Sequence, residues 1–189
     1  MWDAVLEAGK KHNLMVIAPA HHRRIQAGIL SWGQDLDHEH NPFQCNLGYQ
    51  VSLSGKGEWE KKGDYIGKQA LEKMKADLKD GHKPYKLQLV GFEIGGKPID
   101  EYAPDFWLVS PGDGGDPCGF ITSPWYHPEK GKNIAMGYIP FDGTLNPNGF
   151  PKWELGKKFK VHLPDIYADE PGVPVDAVTV DVPFTESFN

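Results

Sequence analysis

Cysteine is nearly absent: Cys45 and Cys118 are the only two in 189 residues, far apart and outside any C-x-x-C spacing. That excludes a disulfide framework and a zinc knuckle, and it makes the reduced cytosol the default compartment. Long apolar runs are missing too. The longest are a handful of residues, well short of the roughly 20 that a membrane span needs, and the opening MWDAVLEAGKK lacks the basic-then-apolar order of a secretory signal. No membrane role and no export are expected. A concentrated positive charge is the third absence. The formal net charge is −6 and the pI about 5.7, which argues against a general nucleic-acid binder, since phosphate contacts need a basic face. Repeats of 20 to 50 residues and low-complexity tracts are not found either.

What the chain does have is glycine and proline, 22 and 16 of them, spread among 39% hydrophobic residues, a composition that fits a turn-rich globular fold better than a helical bundle. Trp2, Val5 and Leu6 recur at helical spacing, with Asp3 early and Lys10, Lys11 and His12 late, so residues 2–12 read as a helix. The apolar patch LMVIAP stops at Pro19. HHRRIQAGIL then reads as a second, shorter helix whose Ile25 and Ile29 share a face. Ile66, Ala70, Leu71, Met74 and Leu78 form a stripe that predicts a helix over 66–79, preceded by Gly63-Asp64 and stopped by Asp80-Gly81. From Leu87 onward the character changes. A strand begins there, and short apolar runs at 106–109, 118–122, 133–139, 158–163 and 176–182 follow, each bounded by Gly, Pro or Asp, which predicts a small barrel or sandwich.

Few stretches carry chemistry by themselves. GQDLDHEHNPF packs Asp35, Asp37, His38, Glu39 and His40 together and reads as a hydrated acidic loop rather than a metal site, so no metal is expected. His21, His22, Arg23 and Arg24 would repel one another unless an anion lies nearby; otherwise they form an exposed polar turn. No G-x-S-x-G elbow and no phosphate-binding glycine loop is found, and the glycines of SPGDGGDP read as a hairpin turn. No catalytic residue can be assigned.

The order of these landmarks resembles the folate-binding one-carbon transferase family typified by the glycine cleavage T-protein (aminomethyltransferase), which includes the dimethylsulfoniopropionate demethylases. WDAVLEAGKKHNLMVIAP is similar to the family's W…L…AG…G helix and strand. RRIQAGILSWGQDLD resembles R-L-E-A-G…Y-G-x-D-(I/L), and NPFQCNLGYQV resembles (N/T)-P-x-E-x-G-L-x-x-x-V. DYIGKQALEKMK is similar to D-F-I-G-(K/R)-x-A-L, SPWYHPEKGKNIAMGYIP to S-P-x-x-x-K-N-I-A-(M/L)-(G/A)-Y-V-P with its leading serine, and VDVPF to the closing (L/M)-P-F.

The resemblance implies an α+β chain: residues 1–82 as the C-terminal part of a folate-binding α/β domain, and residues 83–189 as a small antiparallel β-barrel that closes the folate channel. It implies tetrahydrofolate as cofactor, with Gln26, Arg24, Trp32, Trp125 and Tyr126 contributing to its site. In the sequence itself, Pro124 and Pro128 stiffen the approach to the apolar run 133–139, Trp125 and Tyr126 offer flat faces for a ring or for interface packing, and Lys130 or Lys132 can meet a carboxylate. Two positions depart from the family. Gln26 stands where the family has a pterin-binding glutamate, and Asp100 of GGKPIDEY stands where the T-protein's G-x-P-x-R motif places an arginine. The family's catalytic aspartate has no counterpart, because it sits in an N-terminal half that this chain does not include. The resemblance therefore implies an inactive C-terminal portion that needs that half, as part of a longer protein or as a partner subunit, with self-association through the uncovered apolar surface as a further expectation. A second reading keeps the fold without catalysis, as a folate-binding or partner-docking module.

Overall fold

In the computed structural model, residues 1–17, 20–53 and 64–184 are described. The stop at Pro19 and the turn at Gly63 lie outside them. Three helices, α1 (Trp2–Gly9), α2 (His21–Gln26) and α3 (Lys68–Lys79), precede six strands: β1 (Leu87–Ile94), β2 (Trp107–Pro111), β3 (Gly119–His127), β4 (Lys132–Pro140), β5 (Lys158–Val161) and β6 (Val175–Val180). The strands close into an antiparallel barrel in the order β1-β4-β3-β2-β5-β6.

The barrel closes around side chains that alternate inward. Val90, Phe92 and Ile94 of β1, Val109 of β2, Ile121 of β3, Ala135 and Ile139 of β4, and Phe159 and Val161 of β5 fill its interior. The opposite faces of β1 and β4 are also buried. Leu89, Ile134, Met136 and Tyr138 point outward onto Ile25 of α2 and onto Phe184. Burial on both faces is why 133–139 reads as a continuous apolar run rather than an alternating one. A third cluster of Phe43, Leu78, Tyr85 and Phe141 seats α3.

The structure departs from expectation where a glycine adopts positive φ. Helix α2 stops at Gln26 because Gly28 (φ 68°) reverses the chain, and the Gly28 N–H to Ile25 and the Ile29 N–H to Arg24 cap the last carbonyls. Ile29 consequently leaves the helical face and is exposed, while Ile25 is buried. In the same way Gly67 (φ 89°) starts α3 two residues late, so Ile66 lies off the stripe that Leu71, Met74 and Leu78 supply. The expected first helix is an α-helix to Gly9 followed by a 3-10 turn, Lys10–His12.

The stretch before β4 is itself a strand. Residues 123–127 pair with 132–136, leaving only 128–131 as a turn. Pro124 is tolerated because its missing N–H points away from β4. The Tyr126 N–H, two residues on and on the same side, bonds Ile99 instead of a strand. Lys132 meets Glu93 across the sheet at 2.6 Å.

Asn133 is buried and fixes the loop that carries Asp100. Its carboxamide oxygen accepts from the Ile99 N–H at 3.0 Å, and its amide donates to the carbonyls of Gly95 and Lys97 at 3.1 and 3.0 Å. Asn133→Ala is expected to lower stability by about 1–3 kcal/mol, since it orphans the buried Ile99 N–H and removes two part-buried bonds to the Gly95 and Lys97 carbonyls. Asn133→Asp should be no better, because it replaces both donors with repulsion. Urea melts of the three proteins check this.

Candidate functional site

Helix α2 is held against the barrel by a buried carboxylate. Asp35 has a fully buried side chain whose four acceptor positions are all used. One oxygen accepts from the Arg24 guanidinium at 2.7 Å and from the Ser31 N–H at 2.8 Å. The other accepts from the hydroxyls of Thr122 at 2.6 Å and Ser123 at 2.5 Å. Arg24 also donates to the Ser123 hydroxyl at 2.7 Å and to the Gln34 side-chain oxygen at 3.2 Å, and the Gln34 amide donates to the Thr122 carbonyl at 2.8 Å. The Tyr138 hydroxyl donates to the Asp35 carbonyl at 2.6 Å. Since that donation uses its single hydrogen, the Cys45 thiol is the donor in the 3.4 Å contact to the Tyr138 oxygen. Burial pushes both the Cys45 thiol and the Tyr138 phenol upward, so both are neutral.

Beside this network His21 lies between two rings, 4.8 Å from Tyr102 and 5.8 Å from Trp125, nearly parallel to the latter. Its Nδ1 accepts from the Arg24 Nε–H at 3.3 Å, which requires the neutral imidazole. Burial, and then the positive charge of Arg24, hold its pKa below the usual value, with Asp35 opposing.

The structure brings together only some of the residues singled out in the sequence. Arg24 and Trp125 belong to one assembly through Ser123 and His21. Gln26 ends the same helix two residues on; its backbone carbonyl accepts from the Phe184 N–H at 2.9 Å, and its half-buried side chain has no hydrogen-bond partner among the described residues. Trp32 stands apart, 69% exposed. Tyr126 lies on the opposite face of β3 from Trp125, so the two rings do not face one ligand together. The expectation of a hydrated acidic loop is corrected at Asp35, which is the most enclosed carboxylate of the assembly. Asp37 fits the loop reading, accepting from the Glu39 N–H and from His40 at 2.8 Å each. Of the cationic cluster His21–Arg24, Arg24 meets an anion in Asp35, whereas Arg23 is exposed as the polar-turn reading has it. Among the described residues no group of three or more His, Cys, Asp or Glu is arranged to hold a metal ion.

A cleft of about 430 Å³ lies elsewhere, between the end of α2, residues 43–49, residues 146–155 and residues 181–183. Leu89 and Phe43 form part of its wall, and none of the five singled-out residues lines it.

A closed six-stranded antiparallel barrel clamped to a short helix by a buried Arg–Asp pair defines an α+β module. No family model matches the chain. It is 31% identical to the aminomethyltransferase of Symbiobacterium thermophilum over 74% of its own length and 33% of that protein's. The corresponding values are 28%, 75% and 35% for the aminomethyltransferase of Halothermothrix orenii, and 29%, 87% and 38% for the dimethylsulfoniopropionate demethylase DmdA of Ruegeria pomeroyi. The crystal structure of the glycine cleavage system aminomethyltransferase T from Bartonella henselae shares the fold, with a TM-score of 0.58 at 20% identity over 86% of this chain and 37% of that one. The chain belongs to the aminomethyltransferase family, which also holds the dimethylsulfoniopropionate demethylase, and it spans about a third of the length of the curated relatives it matches.

Two measurements check the assembly. Asp35→Ala is expected to cost about 3–5 kcal/mol, because it leaves the Arg24 charge without its partner, while the double variant Arg24→Met/Asp35→Leu costs much less than the two single changes added. For His21 the folded chain binds a proton less readily than the unfolded chain. Stability from this ring is therefore full above about pH 6.5 and is lost as pH falls below it, and His21→Gln should flatten that part of the stability profile.

Proposed function

We propose that this chain is the C-terminal portion of a tetrahydrofolate-dependent one-carbon transferase, forming one wall and the lid of the folate site. In this reading residues 1–82 complete a folate-binding domain and residues 83–189 are the closing barrel. The observation that carries it is Gln26: a half-buried carboxamide without a hydrogen-bond partner among the described residues, at the end of a helix immobilised on the barrel by Arg24 and Asp35. That side chain suits the group the family implies. A carboxamide offers one acceptor and one donor edge, which complements the adjacent N–H and C=O of a pterin ring, although it cannot match the two-oxygen acceptor of a glutamate.

Bound tetrahydrofolate would supply the nitrogen that takes up the one-carbon unit. The chain's own residues position and exclude. Gln26 orients the ring edge, the Arg24–Asp35 assembly keeps α2 from shifting, and Trp125 with its stacked His21 walls off water, so that rate enhancement comes from proximity rather than from an acid or base on this chain. Trp32 is exposed and available to the remaining part of the family's length, and Tyr126 serves the barrel's other face. Asp100 and Glu101, in the loop fixed by Asn133, reverse the charge of the T-protein's arginine and favour a donor other than the T-protein's. The partner is the N-terminal half of such an enzyme, joined to this chain or separate, and the setting is the cytosol.

Isothermal titration tests this. Tetrahydrofolate is expected to give no binding heat with the chain alone and a saturable signal once the N-terminal half is present; absence of binding in both overturns the reading. In the complete protein Gln26→Glu should tighten tetrahydrofolate roughly tenfold, as a charged acceptor replaces a neutral one. Weakening by that substitution would show that the ring edge meets Gln26 differently.

A further inference from the structure

The cleft of about 430 Å³ beside the end of α2 is walled mainly by apolar side chains, among them Leu30, Phe43, Leu89, Phe150, Trp153 and Val182. Water against such walls is unfavourable, and side chains free to move would close over it. These walls are fastened one by one. The Asn146 side-chain oxygen accepts from the N–H groups of Asn148 at 2.9 Å and Phe150 at 3.1 Å, which fixes the turn that carries the Phe150 ring. The Trp153 indole N–H donates to the Val180 carbonyl at 3.0 Å, and the Asn46 amide donates to the Leu89 carbonyl at 2.9 Å. A Cβ at Gly48 would lie 2.7 Å from Phe150 and 2.9 Å from Phe43, so the chain there is already against both rings and has no slack to close further. An apolar cleft held open by directional bonds is the form of a preformed small-ligand site, and its volume lies within the roughly 300–1,000 Å³ usual for one.

Three polar side chains of the lining define the charges of that ligand. Among the described residues Lys152 makes no ion pair, and it is not paired with Asp181. Asn146 uses only its oxygen on the turn, which leaves its amide N–H₂ without an acceptor among the described residues. Asp181 accepts from the Val182 N–H at 3.0 Å with one oxygen and keeps the other. A cation with an amide donor and a separate anion therefore border one apolar space. A simple apolar anion would meet Asp181 unfavourably, a simple apolar cation would meet Lys152 in the same way, and a neutral hydrocarbon would strip water from both charges without replacing it. A phosphate ester fits worse still, since one lysine beside a carboxylate is the wrong balance for several negative oxygens.

We infer that the cleft binds a small zwitterion with an apolar body, its carboxylate on Lys152 and Asn146, its ammonium on Asp181 and its apolar part among Phe43, Phe150 and Trp153. Two sources share that chemistry, a free aromatic amino acid and an apolar dipeptide. Gln26 does not line the cleft, so this ligand and a ring held at Gln26 are bound separately, and neither reading depends on the other. Ala27 and Gly28 of the lining follow Gln26 directly, which makes competition with tetrahydrofolate the sharpest check of that separation.

The test is isothermal titration of L-tryptophan and of L-leucyl-L-phenylalanine into the protein isolated from its own cells, whether as one longer polypeptide or as a complex. At least one of the two is expected to bind with a dissociation constant of roughly 10–100 μM, and the tighter of them identifies the source. Lys152→Met should weaken that probe about tenfold. Asp181→Asn, which keeps an oxygen for the Val182 N–H, should weaken it by about the same factor and leave its N-acetyl form, which has no ammonium, unaffected. Both residues are exposed and lie outside the core clusters, so both variants are expected to melt as the parent does. Saturating tetrahydrofolate should leave the binding unchanged. No heat from either probe up to millimolar concentration overturns the inference and leaves the proposed function standing. Binding that ignores both substitutions overturns the zwitterion, and displacement by tetrahydrofolate overturns the separate site while supporting the folate reading.

Discussion

The fold turns on a single carboxylate. Asp35 has no access to water, and its two oxygens receive hydrogens from a helix, a loop and a barrel strand at once. A charge in such a place is tolerable only if every acceptor site is filled, and that demand is what fixes the relative positions of the three segments. A hydrophobic pair of similar volume would pack there with comparable stability but would accept sliding; the directional bonds of Arg24, Thr122 and Ser123 admit one register. Ile25, one residue from Arg24, then delivers the apolar side of the helix to Leu89, Met136 and Tyr138. Precision comes from the polar contact and most of the adhesion from the apolar one.

This division explains the unusual demands on β4. Its outer residues meet the helix, its inner residues meet the barrel core, and its backbone is paired on both sides by β1 and β3. Every surface of the strand is therefore a contact surface. Tyr138 joins the polar and apolar systems, with its ring in the outer cluster and its hydroxyl on the Asp35 carbonyl. The barrel is thus a platform that positions α2 and, through α2, the carboxamide of Gln26.

Much of the fold could be read from residue order. The six apolar runs between turn residues became the six strands, because alternation and length are local properties. The helices were legible in their middles and misjudged at their ends, where Gly28 and Gly67 take left-handed conformations that pull Ile29 and Ile66 off the expected stripes. The assembly around Asp35 was far less legible. Arg24 and Asp35 are 11 residues apart, but Ser123 is 88 residues beyond Asp35, and nothing local in GQDLDHEH marks one aspartate for burial and its neighbour for solvent. Trp125 and Tyr126, adjacent in sequence, are sent to opposite sides by the pleat, which residue order alone does not display.

The hydrogen bond from the Phe184 N–H to the Gln26 carbonyl sets an order of events during biosynthesis. A ribosome releases α2 long before β3 supplies Ser123, and longer still before the segment containing Phe184 emerges. Until β3 and β4 emerge the helix has neither its charge partner's hydroxyl donors nor most of its outer apolar cover, and until Phe184 emerges the Gln26 carbonyl lacks its donor. The Gln26 end of α2 is consequently ordered late, which makes its placement dependent on distant contacts of the kind that slow folding and call on chaperones.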